Sequence, residues 1–177
     1  MFISLVMDAR TSGARLPRQL DALRQAARQC PHRSELLLVD DTSDPRLPVM
    51  ASRHGARFTD CEPGPLGSRL NAALSLAQGT VMVFPMAPER LPAGWLSELV
   101  EGLADQTLEA VVLTRPLPQA LRLLNHLLGH QQAGTLAVER SWLERIGGFD
   151  TTLDEHALPD LIARLHACHA RIHTLAK

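Results

Sequence analysis

The chain has 177 residues, 45% of them hydrophobic, with 18 basic and 19 acidic side chains and a formal net charge of -1. That size favours one domain with a core large enough to need no disulfide or metal staple. Balanced charge, a single lysine (Lys177), 3% aromatic residues and no tyrosine exclude a nucleic-acid platform, which needs a dense basic patch with rings to stack on. Ile3 to Met7 reads as a short buried strand. Leu16, Leu20, Leu23 and Ala27 follow at helical spacing, with Pro17 where a first-turn proline is tolerated and an end near Cys30-Pro31. Arg10, Arg15, Arg18, Arg24 and Arg28 recur at helical spacing on what reads as a solvated face.

Leu36 to Val39 is the second expected strand, and Leu47 to His54 a short helix stopped by Gly55. Ala56 to Phe58 is a weak third strand. Cys61 to Gly67 is a loop, and Ser68 to Gln78 a helix with Leu70, Ala73, Leu74 and Ala77 on one face, closed by Gly79. Val81 to Phe84 and Leu108 to Leu113 are strands on either side of a helix from Trp95 to Leu103. Alternating strands and helices at this spacing predict parallel pairing through right-handed crossovers. Beyond them come a leucine stripe (Leu117, Leu121, Leu124, Leu128), a strand over Gly134 to Val138 and a short helix from Ser141 to Ile146 broken by Gly147-Gly148. A helix from Leu158 to Cys168 and a strand from Ala170 to Leu175 complete the chain.

Cys30, Cys61 and Cys168 are odd in number and far apart, which speaks against a disulfide framework and for a reducing compartment. No stretch approaches the ~20 apolar residues of a membrane span. The apolar Phe2 to Met7 run is too short for a signal sequence and has no basic leader. A cytoplasmic protein is therefore expected.

The most informative tract is Leu36-Leu37-Leu38-Val39-Asp40-Asp41-Thr42-Ser43-Asp44. A buried strand whose carboxyl end carries paired carboxylates is where open α/β sheets place their ligands. Read alone, the same Asp-Asp-Thr-Ser segment also suits a turn or the cap of the next helix.

Five segments in order carry a resemblance. They are Leu16-Pro17-Arg18, Leu38-Val39-Asp40-Asp41-Thr42-Ser43-Asp44, Asn71-Ala72-Ala73, Arg90-Leu91-Pro92-Ala93-Gly94-Trp95-Leu96 and Glu144-Arg145-Ile146-Gly147-Gly148-Phe149-Asp150. In this order they resemble family 2 glycosyltransferases of the GT-A fold, closest to a small bacterial branch. The resemblance spans nearly the whole chain. It implies a three-layer αβα sandwich around a mostly parallel, Rossmann-like sheet. One GT-A-like domain would cover 1–177, with a nucleotide-binding half over 1–113 and an acceptor-side half over 114–177. It further implies a nucleotide-sugar such as a UDP-sugar as ligand, Mg²⁺ or Mn²⁺ as cofactor and hexosyl transfer as the activity.

Carried over by position, the nucleotide-binding residues are Asp8, Arg10, Asp40, Asp41 and Asn71. A carboxylate accepts well from a base N–H; Asn71 falls near the pyrophosphate position, and a helix-start hydrogen bond explains it equally well. The family's metal-binding aspartates fall on Met86-Ala87-Pro88. A thioether and a proline ring offer no oxygen to a hard cation, which leaves Glu89, one residue later, as the metal candidate. The expected acidic pair near the last helix falls on Ala157 and Leu158. Asp154, Glu155 and His156 sit just upstream and can substitute if the loop shifts; Glu155 and His156, with Asp160, are the catalytic candidates. The first strand ends in Asp8-Ala9-Arg10-Thr11 rather than the family's proline-threonine-aromatic-asparagine. A non-catalytic binding or scaffolding protein of the same fold is the alternative these departures suggest.

The remaining groups read as structural. Arg10, Arg69 and Arg90 can serve a diphosphate, but the simpler expectation for each is a solvated surface arginine. His166, Cys168, His169 and His173 lack the spacing of a zinc cage. His126 and His130 sit on the edge of the leucine stripe, which reads as core, with a homodimer face over Leu117 to Leu128 or an interfacial anchor as the alternatives. Trp95 and Trp142 lie in helical runs and should pack. Nothing beside Cys61 marks a nucleophile.

Overall fold

The computed structural model describes residues 1–104, 107–114 and 134–176. The leucine stripe, His126, His130 and the homodimer face expected on them lie outside the described residues. In chain order the elements are β1 (Phe2–Asp8), α1 (Ala9–Ser12), a 3-10 turn (Gly13–Arg15), α2 (Leu16–Gln29), β2 (Arg33–Asp40), α3 (Arg46–Arg53), β3 (Ala56–Asp60) and α4 (Leu66–Leu76). There follow β4 (Val81–Phe84), a 3-10 turn (Pro88–Arg90), α5 (Trp95–Ala104), β5 (Ala110–Thr114), β6 (Thr135–Glu139), α6 (Arg140–Arg145), α7 (Ala157–Ala167) and β7 (Ile172–Ala176).

The strands form one seven-stranded sheet in the order β3-β2-β1-β4-β6-β5-β7. The pairs β1–β2, β1–β4, β2–β3 and β5–β7 are parallel, and β6 runs antiparallel between β4 and β5. Strands covered on both faces read as continuous apolar runs, as Leu36-Leu37-Leu38-Val39 does. The chain leaves β1 toward β2 and β3, then returns to place β4 on the other side of β1. The order therefore reverses between β1 and β4, the crevice where open α/β sheets take ligands.

The period of two along each strand divides the core. Ile3, Leu5, Met7, Leu36 and Leu38 face one layer with α2, α3 and α5. Val6, Leu37, Val39, Met82 and Phe84 face the other with α4, α6 and α7. In α2 the buried residues Leu16, Gln19, Leu20, Leu23 and Ala26 make one stripe, and Pro17 sits in its first turn. The elements match those expected from the sequence within a few residues. The largest departures are β2, which starts three residues early at Arg33, the short α1, which was not expected, and α4, which starts at Leu66, inside the expected loop, and ends at Leu76. Gly67 permits the early start, because a Cβ there would lie 1.9 Å from the Asp150 carbonyl oxygen.

Candidate functional site

The strand parity that builds the two layers also separates the paired acids. Asp40 is in step with Leu36 and Leu38 and belongs to the α2 and α3 side. It lines a cavity of about 590 Å³ with Arg10, Leu16, Thr42, Arg46 and Met50. The Thr42 hydroxyl donates to both Asp40 oxygens, at 2.8 and 3.0 Å. Asp44 at the mouth accepts from the Arg46 backbone and guanidinium, which hold its carboxyl down at about 2. Two of the three non-glycine residues with positive φ among the described residues lie in the loops at this end of the sheet, Ser43 (54°) and Ala87 (45°). Strain of this kind concentrates at ligand-holding loops.

Asp41 turns the other way. Its Oδ2 accepts from Arg10 Nη1 at 2.9 Å and from the Gly64 N–H at 3.3 Å. Its Oδ1 is buried and has no hydrogen-bond partner. Burial pushes this carboxyl up, but the Gly64 N–H, the Arg10 hydrogen bond and the charges of Arg69 and Arg10 outweigh it, and the net displacement is below the ordinary 3.8.

Arg69 is where the sequence reading fails. A solvated surface arginine was the simpler expectation, yet its side chain is 1% exposed. Positions 66, 69, 70 and 73 form the buried stripe of α4, so helical periodicity itself places Arg69 inward. Asp8, in step with Val6 on β1, meets it there. Nε donates to Asp8 Oδ1 at 2.7 Å and Nη2 to Oδ2 at 3.1 Å, while Nη1 donates to the Gly64 carbonyl. Asp41 Oδ2 lies 3.6 Å from Nη1 and Asp154 Oδ1 3.9 Å from Nη2. Burial alone would push this guanidinium down, but Asp8, Asp41 and Asp154 raise it above its ordinary value. Asp8 also accepts the Thr11 N–H at 2.7 Å, capping α1, so both its oxygens are committed inside the protein.

The other expected residues scatter. Asn71 spends its side-chain amide on Phe149, donating to the carbonyl at 2.8 Å and accepting the N–H at 2.9 Å. It thereby pins the Gly147-Gly148 turn to α4. Glu155 lines a second cavity, about 360 Å³, at the β1/β4 crevice, with Asp8, Gln19, Phe84, Met86 and Leu158. His156 is the exposed residue preceding α7, and Asp160 accepts from Arg164 Nε at 2.7 Å; neither lines that cavity. Arg90 is exposed. Trp95 is core and Trp142 carries the Arg145 guanidinium over its ring at 4.4 Å. The Cys61 thiol donates to the Asp40 carbonyl at 3.3 Å, and burial raises its pKa, so it is a structural donor, not a nucleophile.

The crevice does not suit a divalent ion. β4 delivers Pro85, Met86 and Ala87 to it, while Glu89 lines neither cavity, with its buried Oε2 unpartnered and Oε1 4.0 Å from Arg90. Among the described residues no three His, Cys, Asp or Glu side chains are grouped so as to hold a metal, and none of the helices is long and apolar enough to cross a membrane.

The sequence pattern described as "Glycosyl transferase family 2" matches residues 4–154. The chain belongs to glycosyl transferase family 2. No curated protein matches it in sequence. Solved structures do match in fold. A mannosyltransferase from Pyrobaculum calidifontis, in complex with GDP-Man and Mn²⁺, superposes with a TM-score of 0.74 at 20% identity, over 99% of this chain and 56% of that one. Glucosyl-3-phosphoglycerate synthase from Mycobacterium tuberculosis, with phosphoglyceric acid, gives 0.71 at 18% identity over 99% and 69%. A CMP:2-keto-3-deoxy-manno-octonic acid synthetase complexed with CTP gives 0.69 at 13% identity over 99% and 89%. This family 2 chain thus spans little more than half the length of the first of these. The likeness establishes the GT-A-type α/β fold.

Proposed function

We propose that this family 2 chain binds a nucleotide-sugar, of UDP or GDP, in the 590 Å³ cavity at the carboxyl ends of β1 and β2. The observation that carries the reading is Asp40 on the wall of this cavity beside Arg10, which is clipped at 2.9 Å to Asp41 on the other face of the strand end. A carboxylate on the cavity wall accepts well from a nucleobase N–H, and Asp41 fixes Arg10 next to it. Asp40 holds the adjoining wall, and the Arg10 and Arg46 guanidinium groups at the mouth suit a diphosphate. The fold relatives with GDP-Man and with UDP-glucose support this choice of ligand.

Transfer chemistry has one candidate base. Of Glu155, His156 and Asp160, Glu155 alone lines the β1/β4 cavity; Asp160 is tied to Arg164. A positioned base contributes on the order of 10²–10⁴-fold, and in hexosyl transfer Glu155 is the residue placed to supply it. The second reading, a non-catalytic binding or scaffolding role, is favoured by Met86 and Pro88 at the expected metal ligands.

Calorimetric titration with UDP, GDP and their hexosyl derivatives tests the first claim. Binding is expected, and Asp41→Asn should weaken it about 10-fold or more, the value of a hydrogen bond to a charged group. No heat with any of these ligands refutes it. Hydrolysis of a nucleotide-sugar panel tests the second: turnover lost in Glu155→Gln establishes an enzyme, and no turnover in the parent leaves the binding role.

A further inference from the structure

Fold relatives were solved in complex with Mn²⁺ or Mg²⁺ and a nucleotide or nucleotide-sugar, yet the crevice residues here do not fit such an ion. The positive centre of this site is of another kind. The Arg69 guanidinium is 1% exposed and lies in a shell made of oxygen: both oxygens of Asp8, the Gly64 carbonyl, Asp41 Oδ2 at 3.6 Å and Asp154 Oδ1 at 3.9 Å. Three carboxylates and a carbonyl are the chemistry a hard cation meets in its own site. They arrive from the end of β1, the loop after β2, the loop before α4 and the loop before α7, so one side chain of α4 ties four segments together.

We propose that this cleft works without a divalent cation, and that Arg69 is the fixed charge that holds its carboxylates in place. This deepens the nucleotide-binding reading and is tested separately from it. With a guanidinium already paired to Asp8, a metal ion entering the cluster would meet like charge and find no vacant carboxylate pair. A bound diphosphate would instead be matched by Arg10 and Arg46, which line the 590 Å³ cavity: Arg10 is clipped to Asp41 at 2.9 Å with its side chain 52% exposed, and Arg46, paired with Asp44, has its side chain 84% exposed.

The test is Mn²⁺ titration of the intact chain followed by electron paramagnetic resonance, alone and with UDP or GDP, alongside nucleotide titration in EDTA and in millimolar Mn²⁺. The free Mn²⁺ signal should not fall beyond what nucleotide alone takes up, and nucleotide affinity should differ by less than about twofold between EDTA and Mn²⁺. One equivalent of protein-bound Mn²⁺, or affinity about tenfold tighter with the ion, overturns the proposal. If no nucleotide binds in either condition, the nucleotide reading falls, and the Mn²⁺ titration without nucleotide still decides this one. Arg69→Met removes the guanidinium and leaves the oxygen shell. Millimolar Mn²⁺ should raise the melting temperature of this variant by about 3 °C or more while leaving the parent unchanged. A folded variant indifferent to Mn²⁺ overturns the role given to Arg69; if the variant does not fold in either condition, the resonance titration of the parent is decisive.

Discussion

The two ends of β2 each carry a largely buried carboxylate, and they are finished differently. At the amino end Glu35 is closed: Oε1 accepts from the Ser4 hydroxyl and the Gln78 N–H, both at 2.6 Å, and Oε2 accepts from Arg57 at 2.8 Å. At the carboxyl end Asp41 has two donors on Oδ2 and none on Oδ1. Burial opposes the charge of both, and donated hydrogen bonds hold both below their ordinary values. Glu35 joins strand to strand and has no capacity left. Asp41 keeps an acceptor in reserve, and through Oδ2 it holds Arg10, which lines the 590 Å³ cavity. An acid that is complete within the fold is structure, and one left incomplete at the ligand end of a sheet marks a site.

The largest expected effect tests the carboxyl-end network as a whole. Arg69→Met should destabilise the fold by about 3–5 kcal/mol, because it strands a buried carboxylate. Asp8→Asn combined with Arg69→Met should cost less than the sum of the two singles, and urea denaturation of the four proteins gives that coupling. Next come the glycines that let each end close. An added Cβ would lie 1.9 Å from the Asp150 carbonyl at Gly67, and 2.6 Å from the Ser4 amide and hydroxyl at Gly79. Each substitution to alanine should cost about 1–3 kcal/mol. Gly67→Ala should also weaken nucleotide binding by moving the Asp150 to Asp154 loop, whereas Gly79→Ala should not; equal effects on binding would erase the distinction between the ends.

The contrast between the acids is sharpest in a matched pair of variants. Glu35→Gln should lose about 1–3 kcal/mol of stability, since its donors are left facing one another or unpaired, and should bind nucleotide as the parent does. Asp41→Asn should be nearer the parent in stability and bind nucleotide about tenfold or more weakly. If Glu35→Gln loses binding and Asp41→Asn keeps it, the site has been placed at the wrong end.

The smallest effect is on pH dependence. Asp41 and Glu35 are both held below their ordinary 3.8 and 4.5, so the unfolded chain takes up protons first as the solution is acidified. The stability they confer is complete above these ordinary values and is lost as pH falls through the lower folded values. Chemical denaturation followed from neutral pH down to about pH 3 should show that loss, and Asp41→Asn should flatten its part of it. A parent whose stability is level across this range would show that neither acid is stabilised by its partners.

Much of this was legible in advance because it is local. Apolar runs, turn residues and helical spacing predicted most elements within a few residues, and the ordered segments around Asp40, Asn71 and Gly147 pointed to the family that residues 4–154 match. The substitution of Met86 and Pro88 for oxygen ligands was visible in one dimension, since ligand chemistry depends on residue type. Which way each acid of the Asp40-Asp41 pair turns was also present as strand parity, once β2 was known to end at Asp40.

Partnership was not legible. Asp8 and Arg69 are 61 residues apart in the chain, and whether an arginine on α4 meets water or a carboxylate depends on which strand α4 crosses. The same holds for Asn71, whose amide closes on Phe149 across 78 residues, and for Glu155, Asp160 and His156, near neighbours in sequence of which Glu155 alone lines the crevice. Periodicity fixes the face a side chain takes; the packing of distant elements decides what waits on that face, and here that packing placed a guanidinium at the centre of the acids.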